Sequence, residues 1–165
     1  MNAATLTGVY YRMIFLTEAN DILAPVSSPE GRSHYKGQPA LYLSETAEGT
    51  QVATKIYRKP NDPPRGIFPL SVDGARVVDL RDKAATDALG IDTTHGNAMW
   101  QDIRAQGLRS PTWDISDKVR KMGFDGILSA SRSKPSLSHL TLFRWNALGG
   151  PKVARAGDPL PDLIG

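Results

Sequence analysis

Strand-forming segments in this chain come in groups, and the helical segments fall between the groups instead of alternating with single strands. That order limits the fold more than any other feature. "TGVYYRMIFL", residues 7–16, is rich in β-branched and aromatic residues and predicts a first strand. Pro25, Pro29, Gly31, Gly37 and Pro39 then punctuate a long loop. "ALYLSE", 40–45, is a short and mostly apolar strand, and Thr46 can cap a helix reaching Arg58 with Val52 and Ile56 on its core face. "IFPLSV" and "ARVVDLRD" predict two more strands, with turn chemistry in "DPPRG" and "VDGA".

Three helical segments follow. "DKAATDALG" starts on Asp and stops on Gly. "HGNAMWQDIRAQGL" puts Ala98, Met99 and Ile103 at helical spacing, and "SPTWDISDKVRKMG" does so with Ile115, Val119 and Met122 before a Gly123 stop. "DGILSA" and "LSHLTLFRW" return to strand. Residues 146–165 are rich in Gly and Pro and predict a loosely packed tail. A doubly wound parallel sheet needs regular alternation, so a mixed α+β domain fits better. We expect one domain over residues 1–148 and a tail over 149–165.

Bulk composition narrows the function. Apolar residues are 40% and charged residues 22% of the 165, as in globular proteins. No apolar run approaches the ~20 residues that cross a bilayer, and "MNAATLTGVYYRMIF" lacks the pattern of a secretory signal. Cysteine is absent, which removes disulfides, thiolate metal sites and a Cys nucleophile. A cytoplasmic protein without a membrane role is expected. The net charge of +3 and pI of about 9.3 are mild, and the basic residues are scattered. They suit an anionic small molecule as well as nucleic acid, and no helix-turn-helix or zinc-finger spacing supports direct nucleic-acid contact. His34, His95 and His139 lie far apart and form no ligand pair, so no metal is expected.

One stretch carries more. "GRSHYKG" (31–37) precedes "LYLSE" (41–45) and a helix; "GFDGILSASRSKPSLSHLTLF" (123–143) leads from a strand to serines, a turn and a second strand; Arg12 sits in the first strand. In this order, over residues 10 to 145, the set resembles the RES domain, a family named for its Arg, Glu and Ser. The resemblance implies the toxin of a bacterial toxin–antitoxin pair of the RES–Xre type. It implies a fold similar to ADP-ribosyltransferases, here a mixed, mostly antiparallel split sheet flanked by helices. It implies NAD as substrate, cleaved by hydrolysis or phosphorolysis or used in ADP-ribosyl transfer to a protein, and a helix-turn-helix antitoxin as partner.

The residue chemistry agrees with such a substrate. Arg32 can hold a pyrophosphate with parallel hydrogen bonds, and Arg12 can add a second contact. Tyr42, matching the family's tyrosine, can stack on nicotinamide. Ser131, in competition with Ser129 and Ser133, can fix the ribose or amide. A carboxylate beside the ribose would stabilise the cation-like sugar of the transition state. Here the chain departs from the pattern. The family's Glu falls about eleven residues after the tyrosine, and that count reaches Ala53. Three explanations stay open: an inactivating substitution at 53, an acid relocated to Glu45 or Glu48, or ligand binding without turnover. The motif's Trp-Asn is also replaced, by Ser33 and His34.

Each residue has a plainer reading. Arg32 can be a solvated loop arginine, Tyr42 a core tyrosine, and Arg12 the partner of Glu18 or Asp79. His34 reads as exposed loop, the three tryptophans as core or interface anchors, and Asp79 and Asp82 as caps. The rival function is a non-catalytic module that binds an NAD-like ligand or another protein.

Overall fold

The computed structural model describes residues 4–162. Seven strands make one sheet: β1 (Ala4–Phe15), β2 (Leu41–Ser44), β3 (Arg65–Asp79), β4 (Gly126–Ala130), β5 (Ser138–Leu142), β6 (Lys152–Arg155) and β7 (Leu160–Pro161). The helices are α1 (Ala47–Thr54), α2 (Lys83–Ala88), α3 (Trp100–Ala105) and α4 (Thr112–Lys121). The domain is α+β, as the clustered strand signals predict. All strand pairings are antiparallel except β3–β4.

The sheet has two parts that meet twice. One part is β1, β3, β6 and β7; the other is β2, β5 and β4. β3 joins β4 over Val77–Asp79, and β1 meets β2 at a single pair, Tyr11 and Ser44. The pairings therefore close into a ring, β1–β2–β5–β4–β3–β1. Because side chains alternate along each strand, every strand gives one set to the inside and one to the outside. The inner set is the main core: Tyr10, Leu41, Leu43, Phe68, Leu70, Val72, Val77, Leu128, Leu140 and Leu142. A second core, Val78, Ile115, Val119, Ile127 and Phe143, seats α4 against the outside.

Several segments differ from the sequence reading. "IFPLSV" and "ARVVDLRD" form one fifteen-residue strand, β3. Gly74, at φ 78°, makes a bulge instead of a turn: Leu6 faces Ala75, Thr7 faces Asp73, and Gly74 N–H donates to Thr7 Oγ1 at 3.1 Å. In place of one helix over 95–108 there is a 3₁₀ turn over Thr93–Asn97 and then α3, because Ala98 is extended between them. As far as residue 162 the expected tail belongs to the sheet; its last three residues lie outside the described ones. β6 and β7 pair with β3, and Val153 is buried in the main core. Its Gly and Pro residues shape the connections, while "KVAR" supplies a strand.

The helix after β2 is capped by Thr46, whose Oγ1 accepts from Gly49 N at 3.0 Å. Its core face is not Val52 and Ile56, however. Gly49 and Thr50 are its buried residues, and Ile56, past the tightening of the helix over Lys55–Tyr57, is 65% exposed. Closeness explains the choice. A Cβ at Gly49 would lie 2.9 Å from Ser44 Cβ, so only a glycine lets α1 settle on β2.

Candidate functional site

The outer face of the ring carries the candidate residues. Tyr42 and Ser44 alternate outward on β2, opposite Thr141 and His139 of β5. Tyr11 pairs with Ser44 and so shares that face, which sends its neighbour Arg12 to the other one. There the Arg12 Nη1 donates to the Ile22 carbonyl at 2.6 Å and the Ala24 carbonyl at 2.8 Å. Burial lowers the Arg12 pKa against the smaller pull of Glu18, and backbone oxygens take its hydrogen bonds. Arg12 pins the loop after β1; it does not join Arg32.

Arg32 lies on the Gly31–Pro39 loop, which α4 holds from one side. Trp113 Nε1 donates to the Gly31 carbonyl at 2.8 Å, and Arg120 Nη2 donates to the Ser33 carbonyl at 2.7 Å. Tyr35 stacks on Trp113 with centroids 4.5 Å apart, and its hydroxyl donates to Asp117. Positions 113, 117 and 120 share one stripe of the helix, and a spacing of this kind was available in the sequence as a signal. Arg32 itself is half-buried. Its Nη1 donates to the carbonyls of Gly96 and Ala98 at 2.9 and 3.0 Å. This use of the two carbonyls coincides with the break in the expected helix. Nη2 and Nε have no partner among the described residues. Burial lowers the Arg32 pKa, with Arg132 of the β4–β5 turn adding repulsion.

Tyr42 fixes the loop from beneath. Its hydroxyl accepts from Ser33 N–H at 3.0 Å and lies 2.6 Å from His34 Nδ1. His34 Nε2 is 2.8 Å from the Ser28 carbonyl, which can only accept, so Nε2 carries the proton and Tyr42 donates to Nδ1. The ring is neutral: burial holds His34 below the ordinary histidine range and raises the Tyr42 pKa. His34 is 1% exposed, not a solvated loop residue. Gly31 makes room for it, since a Cβ there would lie 2.5 Å from His34 Cε1 and 2.7 Å from Tyr42 Oη. The departure from the motif at Ser33 and His34 is thus a working part of the loop.

Positions 49, 53 and 57 follow one another at about one helical turn. Gly49 rests on Ser44, and Tyr57 lies near enough to Arg32 for the guanidinium to lower its pKa against the larger rise from burial. Ala53 falls between them and is exposed. Both acids named as replacements hold ion pairs at the surface. Glu48 pairs with Lys134, and Glu45 pairs with Arg81 at 3.2 Å. Ser131 is buried at the start of the β4–β5 turn, where its Oγ accepts from Lys134 N–H at 3.3 Å beside Arg132. Asp79 binds Arg81 and Asp82 caps α2, as expected of caps. Among the described residues no group of His, Cys, Asp or Glu could hold a metal ion, and no helix is long and apolar enough to cross a membrane.

Sequence reading missed His34, Tyr57 and His139. No motif marks them; the topology brings them to the face that holds Tyr42.

This fold is also found in a solved structure. The fold matches a chain in the crystal structure of the M. tuberculosis MbcT–MbcA toxin–antitoxin complex, with a TM-score of 0.62 and 14% identity over 93% of this chain and 86% of that one. The RES domain model matches residues 10–161, and the chain belongs to the RES domain family. No curated protein matches it.

Proposed function

We propose that this chain is the toxin of a bacterial toxin–antitoxin pair, acting in the cytoplasm, and that NAD is the ligand of the Arg32 face. The observation that carries the reading is the state of Arg32. It is half-buried, aimed by two carbonyls, and keeps Nη2 and Nε for a ligand, with no acid beside it among the described residues to neutralise it. A pyrophosphate supplies the missing charge and matches the guanidinium fork. Tyr42 offers its ring and holds the loop through its hydroxyl; Ser131 adds a polar contact from the neighbouring turn. The reaction is cleavage of the nicotinamide–ribose bond. Nicotinamide leaves with the bonding electrons, and water, phosphate or a protein side chain supplies the new bond to the sugar. Family membership and a fold neighbour from a toxin–antitoxin complex support the class and an antitoxin partner, for which we propose a helix-turn-helix protein.

Position 53 decides the rate. A Glu between Gly49 and Tyr57 would reach the developing positive charge on the sugar, and alanine cannot. Loss of one such electrostatic group slows a reaction about a hundred- to a thousand-fold. The chain with Ala53 therefore binds NAD and turns it over slowly. The rival reading, a ligand-binding module without chemistry, is favoured by Ala53 itself. The experiment is NAD consumption by the purified chain and by Ala53→Glu. A large gain in the variant, abolished by adding Arg32→Ala, supports an enzyme. Equal inertness of both forms supports the module.

A further inference from the structure

His139 is the most deeply engaged titratable group on this face that the proposed chemistry leaves unused. It sits on β5 directly across from Ser44 of β2, with Ser129 of β4 on its other side. Its Nδ1 is 2.8 Å from Ser44 Oγ. The direction of that bond sets what the ring offers. Ser44 is 3% exposed, and its hydroxyl has no other partner among the described residues. If Nδ1 donated, the Ser44 hydrogen would be buried without an acceptor. With Ser44 donating, both groups are satisfied and the ring proton sits on Nε2. Burial first, and the Arg32 charge second, hold His139 below the ordinary histidine range, so the ring is neutral.

Arg32 is close for a structural reason. Its neighbour Ser33 is bonded to the Tyr42 hydroxyl, and Tyr42 precedes Ser44 by two residues on the same face of β2, a step of roughly 7 Å. The Arg32 charge acts on the His139 ring, which places the two on one region of this face.

We propose that His139 contacts the ligand, its Nε2–H being the second donor to the oxyanion held by Arg32, and that Ser44 is the positioning residue that fixes the imidazole tautomer. This is the place that the sequence assigned to Arg12. A neutral donor has an advantage there, because a third cation would add to the repulsion already present between Arg32 and Arg132. The inference deepens the NAD reading and rests on it for the identity of the oxyanion.

The test uses inorganic pyrophosphate and ADP-ribose, titrated calorimetrically into the full chain in phosphate-free buffer, alongside ¹⁵N spectra of the histidine rings. The free protein should show His139 protonated at Nε2, and that signal should move on adding either ligand. His139→Leu should weaken both at least tenfold. His139→Gln, which keeps an N–H donor, should recover most of the loss. Ser44→Ala should weaken binding less and mix the two tautomers. Leucine binding as tightly as histidine, a ring protonated at Nδ1, or no pyrophosphate binding by the unaltered chain would each overturn the proposal. The two readings separate cleanly. Pyrophosphate binding that depends on His139, without NAD consumption even in Ala53→Glu, leaves this site standing and removes the NAD-cleaving function. NAD consumption untouched by His139→Leu does the reverse.

Discussion

Tyr42→Phe removes one oxygen and should loosen the whole arginine loop. The hydroxyl is the acceptor for Ser33 N–H at 3.0 Å and the donor to His34 Nδ1 at 2.6 Å. Ser33 and His34 are 5% and 1% exposed, so water does not readily replace it. A buried polar group left unpaired costs about 1–3 kcal/mol, and two such groups give about 2–4 kcal/mol in all, allowing for partial relaxation. For a domain of this length that lowers the melting temperature by roughly 5–15 °C. The assay is thermal and urea unfolding of both proteins. Gly31→Ala presses a methyl into the same His34–Tyr42 contact, so the double variant should lose less than the sum of the singles. A Tyr42→Phe loss below about 0.5 kcal/mol would mean that the hydroxyl holds nothing, and the network would be refuted.

Acidification should destabilise the domain before its carboxylates titrate. His34 and His139 both have folded pKa values below the ordinary 6.5, so the unfolded chain takes up protons first. Their contribution is complete above that value and is lost as pH falls below it; urea unfolding from pH 7.5 to 5 should show stability falling, and a rise would contradict the assignment. Asp162→Ala should cost on the order of 2 kcal/mol in urea unfolding, since the Asp162 carboxylate takes two bonds from Arg58, at 2.7 and 2.8 Å, just past α1. Gly126→Ala places a Cβ 2.1 Å from the Thr141 carbonyl oxygen across β4 and β5, and should cost about 3 kcal/mol or more, read as lost soluble yield or a depressed melting point. Truncation after residue 148 removes β6 and β7 and should abolish cooperative unfolding, whereas a dispensable tail would leave the transition in place.

Local pattern carried the strands well, because β-branched alternation in "VYYRMIF" and "SHLTLF" reflects one buried face whatever the tertiary context. It failed where the context decides. "VDGA" has the chemistry of a turn and becomes a bulge because β1 runs past it. "KVAR" is too short to announce a strand, and only the free edge of β3 makes it one. Val52 and Ile56 have the right spacing for a core face, but α1 lies so close to β2 that only Gly49 and Thr50 fit between them. The order of the motifs put Arg32 and Tyr42 near each other, and the bond from Ser33 N–H to the Tyr42 hydroxyl joins their segments. Arg12 was misplaced because a one-residue step on a strand changes faces, and nothing local says which face is which. His139 was invisible, since its partner Ser44 is 95 residues away in sequence and meets it only through strand register.

The central claim is that the Arg32 face takes NAD. Calorimetric titration of NAD into the unaltered chain tests it most directly, because binding does not depend on the acid missing at position 53. The account predicts saturable one-to-one binding that weakens at least tenfold in Arg32→Ala and is unchanged in Arg12→Lys at equal fold content. No saturable binding, or binding that survives Arg32→Ala and fails in Arg12→Lys, would contradict it.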